Sequence, residues 1–219
     1  NLKQIGIGLH GFHAAQGKFP PMSRYTPGSG GRPEERGNLW IYLLPHIEQD
    51  NVRNTYNFAA TFNSAANNVP VPPNTVAPTQ VPMPVFVCPS TPNTPRTTPV
   101  IVSGVGTVQM AATDYAPVTG VDDRMYATRP SGAAGKGFVP GPAPGNTDGV
   151  IYKTDTYCRF TEITDGSSNT LLLMELAGRP ISYVLGQVNT VNRPSTPVLN
   201  PANPNGPGAA WAGGNGAVL

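Results

Sequence analysis

Proline is the residue that most restricts what this chain can fold into. The sequence holds 26 prolines and 25 glycines among 219 residues. Proline removes a backbone donor and blocks helix interiors and central strands, so long uninterrupted elements are excluded. One stretch near the start escapes it. In residues 2–16, LKQIGIGLHGFHAAQ, Leu2, Ile5, Leu9 and Phe12 recur at three- and four-residue steps, which predicts one helical stripe. Gly17 is a natural cap and Pro20-Pro21 forbids continuation. Gly6, Gly8 and Gly11 each cost such a helix about 1 kcal/mol relative to Ala. The helix therefore needs packing, or a longer helix upstream of Asn1, to hold it.

Elsewhere the pattern predicts short elements in long loops. Residues 26–37 read as a loop. Residues 38–56 read as a second helix, entered at Asn38 and kinked or split at Pro45. Residues 63–84 form a Pro/Asn-rich crossing segment. A short strand is expected at Val85–Cys88, an exposed excursion over Ser90–Thr107, and strands near Met110–Ala116, Gly149–Lys153, Tyr157–Thr161 and Asn169–Leu176. Residues 194–219 are too rich in Pro, Asn, Gly and Ala for a regular element. The expectation is one α+β domain over residues 1–219: a modest core wrapped in ordered loops.

Composition removes several function classes. Charged residues are 12% of the chain, about half the usual share. The formal net charge is +2 and the basic residues are scattered singly, so nucleic acid is not an expected partner. No run of about 18 apolar residues exists to span a membrane. The two cysteines, Cys88 and Cys158, lie too far apart for a metal knuckle or a CxxC motif. They are one disulfide or two buried free thiols.

Motifs that carry chemistry are few. Gly6-Ile7-Gly8-Leu9-His10-Gly11 matches a dinucleotide fingerprint in letters only, because that motif needs a strand before it and a helix after it. His10 and His13 are three apart, and the third histidine, His46, is distant, so no metal site with a third ligand emerges. The adjacent pairs Glu34-Glu35 and Asp122-Asp123 diverge rather than converge on one bond. No G-x-S-x-G elbow exists, and no nucleophile, base and orienter assemble, so no enzyme activity is expected. The densest polar cluster is Thr161 to Thr170. There Asp165-Gly166 and Asn169 read as a structural turn. The rival reading of the same alternation of Asp165, Ser167 and Asn169 is a set of oxygen ligands for one Ca²⁺, with Asp148 or Asp155 as further donors. Glu175 interrupts an apolar run and calls for solvent or a partner such as Arg159 or Arg179.

Five ordered blocks resemble one family. They are Asn1-Leu2-Lys3-Gln4-Ile5-Gly6 with Gly17-Lys18-Phe19-Pro20-Pro21; Leu43-Leu44-Pro45-His46-Ile47-Glu48-Gln49; Phe86-Val87-Cys88-Pro89-Ser90; Thr113-Asp114-Tyr115-Ala116; and Ile163 through Thr170 with Glu175. Together they resemble a planctomycete-type pilin-like family, similar to type IV pilins and type II secretion pseudopilins, in which a domain of unknown function follows a prepilin-type methylation helix. The chain departs from it at Gly8 and Gly11, and lacks the C-terminal His and Asp-Gly block. The resemblance implies a helix packed on an antiparallel sheet and a membrane anchor upstream of Asn1. It also implies export to the periplasm, cell surface or exterior, and assembly with like copies or envelope partners. Export favours a Cys88–Cys158 disulfide, and calcium-stabilised loops in pseudopilins give the Asp165 loop its precedent. The expected function is a non-catalytic structural subunit of a filament or surface assembly. The alternative is an extracellular carbohydrate- or peptide-binding module using Tyr25, Trp40, Tyr126, Tyr152 and Trp211 as stacking platforms.

Overall fold

The structure is a computed structural model. It describes residues 1–27, 33–91, 96–102, 104–120, 126–128, 139–142, 149–151, 157–176, 183–184, 187–188 and 217–218. Of the expected strand at Gly149–Lys153, residues 149–151 are described and form a bend rather than a strand, and residues 152–153 lie outside the described residues, as does the C-terminal segment 194–219 apart from residues 217–218.

The fold is α+β, with an N-terminal helix and small sheets rather than one continuous sheet. Helix α1 spans Leu2–Gln16 and ends where Gly17, at φ 71°, donates its N–H to the His13 carbonyl at 2.7 Å. A left-handed residue at this position favours glycine. Strands β1 (Ser23–Pro27) and β2 (Pro33–Asn38) form an antiparallel hairpin where a loop was expected. The predicted second helix is split by its proline. It divides into α2 (Leu39–Leu43), a 3₁₀ turn at Leu44–Ile47 with Pro45 in its first turn, and α3 (Asp50–Thr55). Asn38 starts it by accepting the Ile41 N–H at 3.2 Å, as an N-cap does.

A short helix α4 (Ala65–Asn68) begins the crossing segment. Its two asparagines are buried and almost fully bonded. Asn67 donates to the carbonyls of Asn57 and Thr61 and accepts the Asn57 N–H, at 2.8–3.1 Å. Asn68 donates to the carbonyls of Phe62 and Ser64, both at 2.7 Å. Thr79 closes the knot by donating towards the Asn68 side-chain oxygen (2.7 Å) and the Asn67 carbonyl (2.9 Å). Between these anchors residues 69–76 are exposed throughout, with Val71 at 61%.

Beyond residue 84 the expected strand Val85–Cys88 is instead a 3₁₀ turn, Pro84–Phe86, whose Phe86 N–H reaches the Met83 carbonyl at 2.9 Å. Proline at its first position presets that turn. The expected excursion after Ser90 contains an antiparallel hairpin of β3 (Thr97–Val102) and β4 (Gly106–Ala111). With Phe62 it builds a second small core of Val100, Val102, Val108 and Met110. Strand β5 (Tyr115–Gly120) follows and is buried along its whole length. Strands β6 (Tyr126–Thr128) and β7 (Val139–Pro142) pair in parallel. The strand β8 (Leu173–Glu175) pairs antiparallel with β5 and is shorter than the 169–176 run predicted. Strands β9 (Tyr183–Val184) and β10 (Gln187–Val188) make a small antiparallel pair, and β11 (Ala217–Val218) lies parallel to β5 on its other side.

The main core joins Ile5 and Leu9 of α1 to Leu39, Trp40, Ile41, Leu43, Leu44, Phe86, Tyr115 and Ile151. Of the predicted stripe, Leu2 is exposed and Phe12 half-buried. Helix α1 packs chiefly on α2 and the Leu44–Ile47 turn, not on a broad sheet as expected. The helix glycines explain the fit. A Cβ on Gly8 would stand 2.7 Å from Ile47 Cγ2, and one on Gly11 would stand 3.3 Å from the His46 ring. Both are spent on close approach, while a Cβ on Gly6 would meet open space.

The cysteines correct another expectation: both are buried free thiols. Cys88 follows Val87, whose carbonyl is bound by the Asn1 side chain at 2.6 Å. The Cys158 carbonyl accepts the Phe19 N–H at 2.7 Å. They are thus tethered near opposite ends of α1. Its 15 residues span about 22 Å, whereas a disulfide needs Cα atoms about 6 Å apart.

Candidate functional site

Residues of four of the five family-like blocks gather in two places, one near each end of α1. The first centres on Asp114, just before β5 and fully buried. Its carboxylate accepts the Cys88 N–H at 2.7 Å and the Thr91 hydroxyl at 3.1 Å, and forms an ion pair with the buried Arg96 guanidinium. Its own N–H donates to the Phe86 carbonyl at 2.8 Å, and its carbonyl accepts the Leu176 N–H at 2.6 Å. The Thr113 hydroxyl bonds the same Phe86 carbonyl at 3.2 Å. Two consecutive residues therefore fasten the 86–91 segment, Arg96 and the end of β8 together. A carboxylate removed from water and committed to these donors is a lock rather than a reagent. In the sequence Asp114 stands out only as an acidic residue beside a strand with no charged neighbour.

Next to it, the Tyr115 hydroxyl meets Glu175 and Asn1. Burial, then the charge of Glu175 and the hydrogen bond to it, push the Tyr115 phenol up to about 12, while the Asn1 contact acts in the opposite sense. The partner of Glu175 is thus Tyr115; Arg179 lies outside the described residues. Asn1 also donates to the Val87 and Pro84 carbonyls at 2.6 and 3.2 Å, so this cluster pins the first turn of α1.

The second place lies beside the C-terminal half of α1. Residues 160–162 form a 3₁₀ turn where a strand was expected. Glu162 starts it by accepting the Arg159 N–H at 2.6 Å. Burial foremost, helped by Glu162, raises the Cys158 thiol above its ordinary value. Phe160 stands among three rings, with centroids 5.6 Å from His10, 5.4 Å from His13 and 5.5 Å from Phe19. His13 Nε2 accepts the Phe160 N–H at 3.3 Å.

The loop that follows is a chain of turns. Gly166 has φ 86°, a region that favours glycine, and its N–H reaches the Ile163 carbonyl at 3.4 Å. The Asn169 amide donates to the Asp165 carbonyl at 3.2 Å, and the Thr170 hydroxyl to the Gly166 carbonyl at 3.1 Å. Asp165, Ser167 and Asn169 are all exposed, and Asp148 and Asp155 lie outside the described residues. Between this loop and α1 is a cavity of about 150 Å³, lined by His10, Val150, Phe160, Ile163, Ser167, Thr170 and Leu172.

The remaining candidates do not come together. His46 packs on Phe12, 5.6 Å between centroids, away from the other two histidines. Glu34 pairs with Arg36 at 3.1 Å, whereas Glu35 is buried and accepts the Ser23 hydroxyl at 3.0 Å. Among the described residues no group of three or more His, Cys, Asp or Glu could hold a metal ion. Trp40 is buried against Phe86, 4.9 Å between centroids, so it offers no stacking face. The side chains of Tyr126, Tyr152 and Trp211, and the pair Asp122-Asp123, are outside the described residues. No helix among them is long and apolar enough to cross a membrane.

No curated protein and no solved structure matches the chain significantly. One family does, over residues 1–211. The chain belongs to that family, SBP_bac_10, described as a protein of unknown function (DUF1559).

Proposed function

We propose that the chain is a non-catalytic, pilin-like structural subunit, exported and built into a pilus-like filament or another cell-surface assembly. The observation that supports this most is the way α1 is held. Ile5, Gly8 and Leu9 bury one side of it, and Asn1 clamps its first turn through Val87, Pro84 and Tyr115. Its other sides leave apolar groups in water: Leu2 is 42% and Ile7 60% exposed. A helix held firmly at its first turn, with Leu2 and Ile7 left uncovered, is in keeping with packing against further subunits. The Asp114 lock has the same sense, since it stiffens the body on which that helix is mounted.

The test is electron microscopy of the full-length native protein, read with the sequence upstream of Asn1. The expected result is an ordered assembly, together with an apolar upstream helix carrying a glutamate near its start. A strictly monomeric particle with its upstream residues intact refutes the reading.

A further inference from the structure

We propose that the cavity between α1 and the 160–172 segment binds an uncharged phenol, a single aromatic ring bearing a hydroxyl. At about 150 Å³ the space, which opens to solvent beside the exposed Ser167, matches in volume a cavity that takes up benzene. Its walls are apolar or aromatic: Phe160, Ile163 and Leu172, with the His10 ring tilted 30° to that of Phe160. Offset and tilted arrangements of this kind admit one more ring. Among the described residues no carboxylate, ammonium or guanidinium lines the space, so they offer a charged ligand no counter-charge for its desolvation. The polar groups present are the Ser167 hydroxyl and the His10 imidazole, which can donate or accept, and the Thr170 hydroxyl, whose proton goes to the Gly166 carbonyl and which can only accept. They suit a ligand hydroxyl.

The walls are also held open in advance. The His13 contact to the Phe160 N–H fixes one side, and the Thr170 bond to the Gly166 carbonyl fixes the other. Preformed walls spare the ligand the cost of ordering them. The phenol can be a free small molecule or the tyrosyl side chain of a second copy of this chain. The inference stands apart from the filament reading.

The experiment is an amide NMR titration of the protein with p-cresol, which represents both sources. Saturable shifts are expected at His10, Phe160, Ile163 and residues 167–172. Ser167 is exposed, so Ser167→Trp should plug the mouth without unfolding the domain, and it should abolish those shifts. Ser167→Ala should weaken p-cresol about fivefold, the factor one net hydrogen bond supplies, and leave toluene binding unchanged. A dilution series without p-cresol separates the sources. Concentration-dependent shifts at the same amides identify a second copy's tyrosine, and constant shifts identify a free phenol. Absence of saturable shifts up to the solubility limit overturns the proposal. So do shifts that persist in Ser167→Trp, or equal effects of Ser167→Ala on p-cresol and toluene.

Discussion

Replacing Asp114 with alanine tests the lock most directly. Three donors converge on its carboxylate: the Cys88 N–H, the Thr91 hydroxyl and the Arg96 guanidinium. Removing it strands the Arg96 charge in a position only 6% exposed. Breaking a buried pair in this way costs about 3–5 kcal/mol, and the orphaned Cys88 N–H adds about 1 kcal/mol. The two overlap, so the expected loss is about 4–5 kcal/mol. A domain of this size loses about 2–4 °C in Tm per kcal/mol, which gives a drop of about 8–20 °C. Urea unfolding followed by tryptophan fluorescence and circular dichroism reads it. Trp40 is a suitable reporter because it packs on Phe86, whose carbonyl takes the Asp114 N–H. A double variant, Asp114→Leu with Arg96→Met, should recover a large part of the loss, since no charge is then stranded. A loss below about 1 kcal/mol for Asp114→Ala refutes the lock, as the buried-pair cost alone exceeds it. A double variant as unstable as the sum of its singles refutes the ion pair as its cause.

The two kinds of helix glycine should separate under one substitution. Gly6→Ala should stabilise by about 0.5–1 kcal/mol through helix propensity, whereas Gly8→Ala should destabilise by about 1–2 kcal/mol through overpacking against Ile47; equal effects in thermal melts defeat the packing account. Thiol titration should find both cysteines unreactive in the native protein and both reactive after unfolding without reductant, and a thiol-free unfolded chain contradicts the structure. For Tyr115 the folded phenol, at about 12, holds its proton more tightly than the unfolded one near 10. Its contribution is therefore complete below pH ~10 and lost as pH rises towards ~12. Ultraviolet titration of wild type against Tyr115→Phe should lose one late-titrating phenol, and unchanged curves count against the Glu175 contact. Asp165→Ala should cost no more than about 0.5 kcal/mol, because its carboxylate bonds only the exposed Thr164 hydroxyl, at 3.5 Å, and melts with calcium against a chelator should coincide. A calcium-dependent rise in Tm that vanishes in Asp165→Ala would instead establish the loop as a cation site.

Local rules carried the start of the fold well. The apolar spacing of α1, its Gly17 cap, the Asn38 cap and the break at Pro45 all act within one or two turns of chain, so the sequence exposes them. Gly8 and Gly11 were visible as anomalies, but their cause was not, because their neighbours His46 and Ile47 are far along the chain. The hairpins were missed for a different reason. β2 reads PEERGN and β3 carries Pro99 within TTPVIV, so neither has the clean alternation that marks a strand. Val85–Cys88 failed in the opposite sense: its β-branched residues promised a strand, and Pro84 set a turn. At the site, the Asp165 loop was readable because its turn chemistry is local. The Asp114 lock was not, since its partners at Cys88, Thr91, Arg96 and Leu176 are brought in only by the tertiary fold. The aromatic cavity was hidden likewise, with His10 and Phe160 joined by packing alone.

The knot of Asn67, Asn68 and Thr79 has a practical consequence. It closes the base of residues 69–76 with side-chain bonds that do not involve the apex. The segment above can therefore be exchanged for foreign sequence without disturbing either core. Lengthening a closed loop twofold costs only about 0.6 kcal/mol, and exposed loop tips are where insertions are tolerated. Residues 70–75 are thus a natural port for grafting an epitope tag or a display peptide, held at both ends by anchors the protein already possesses.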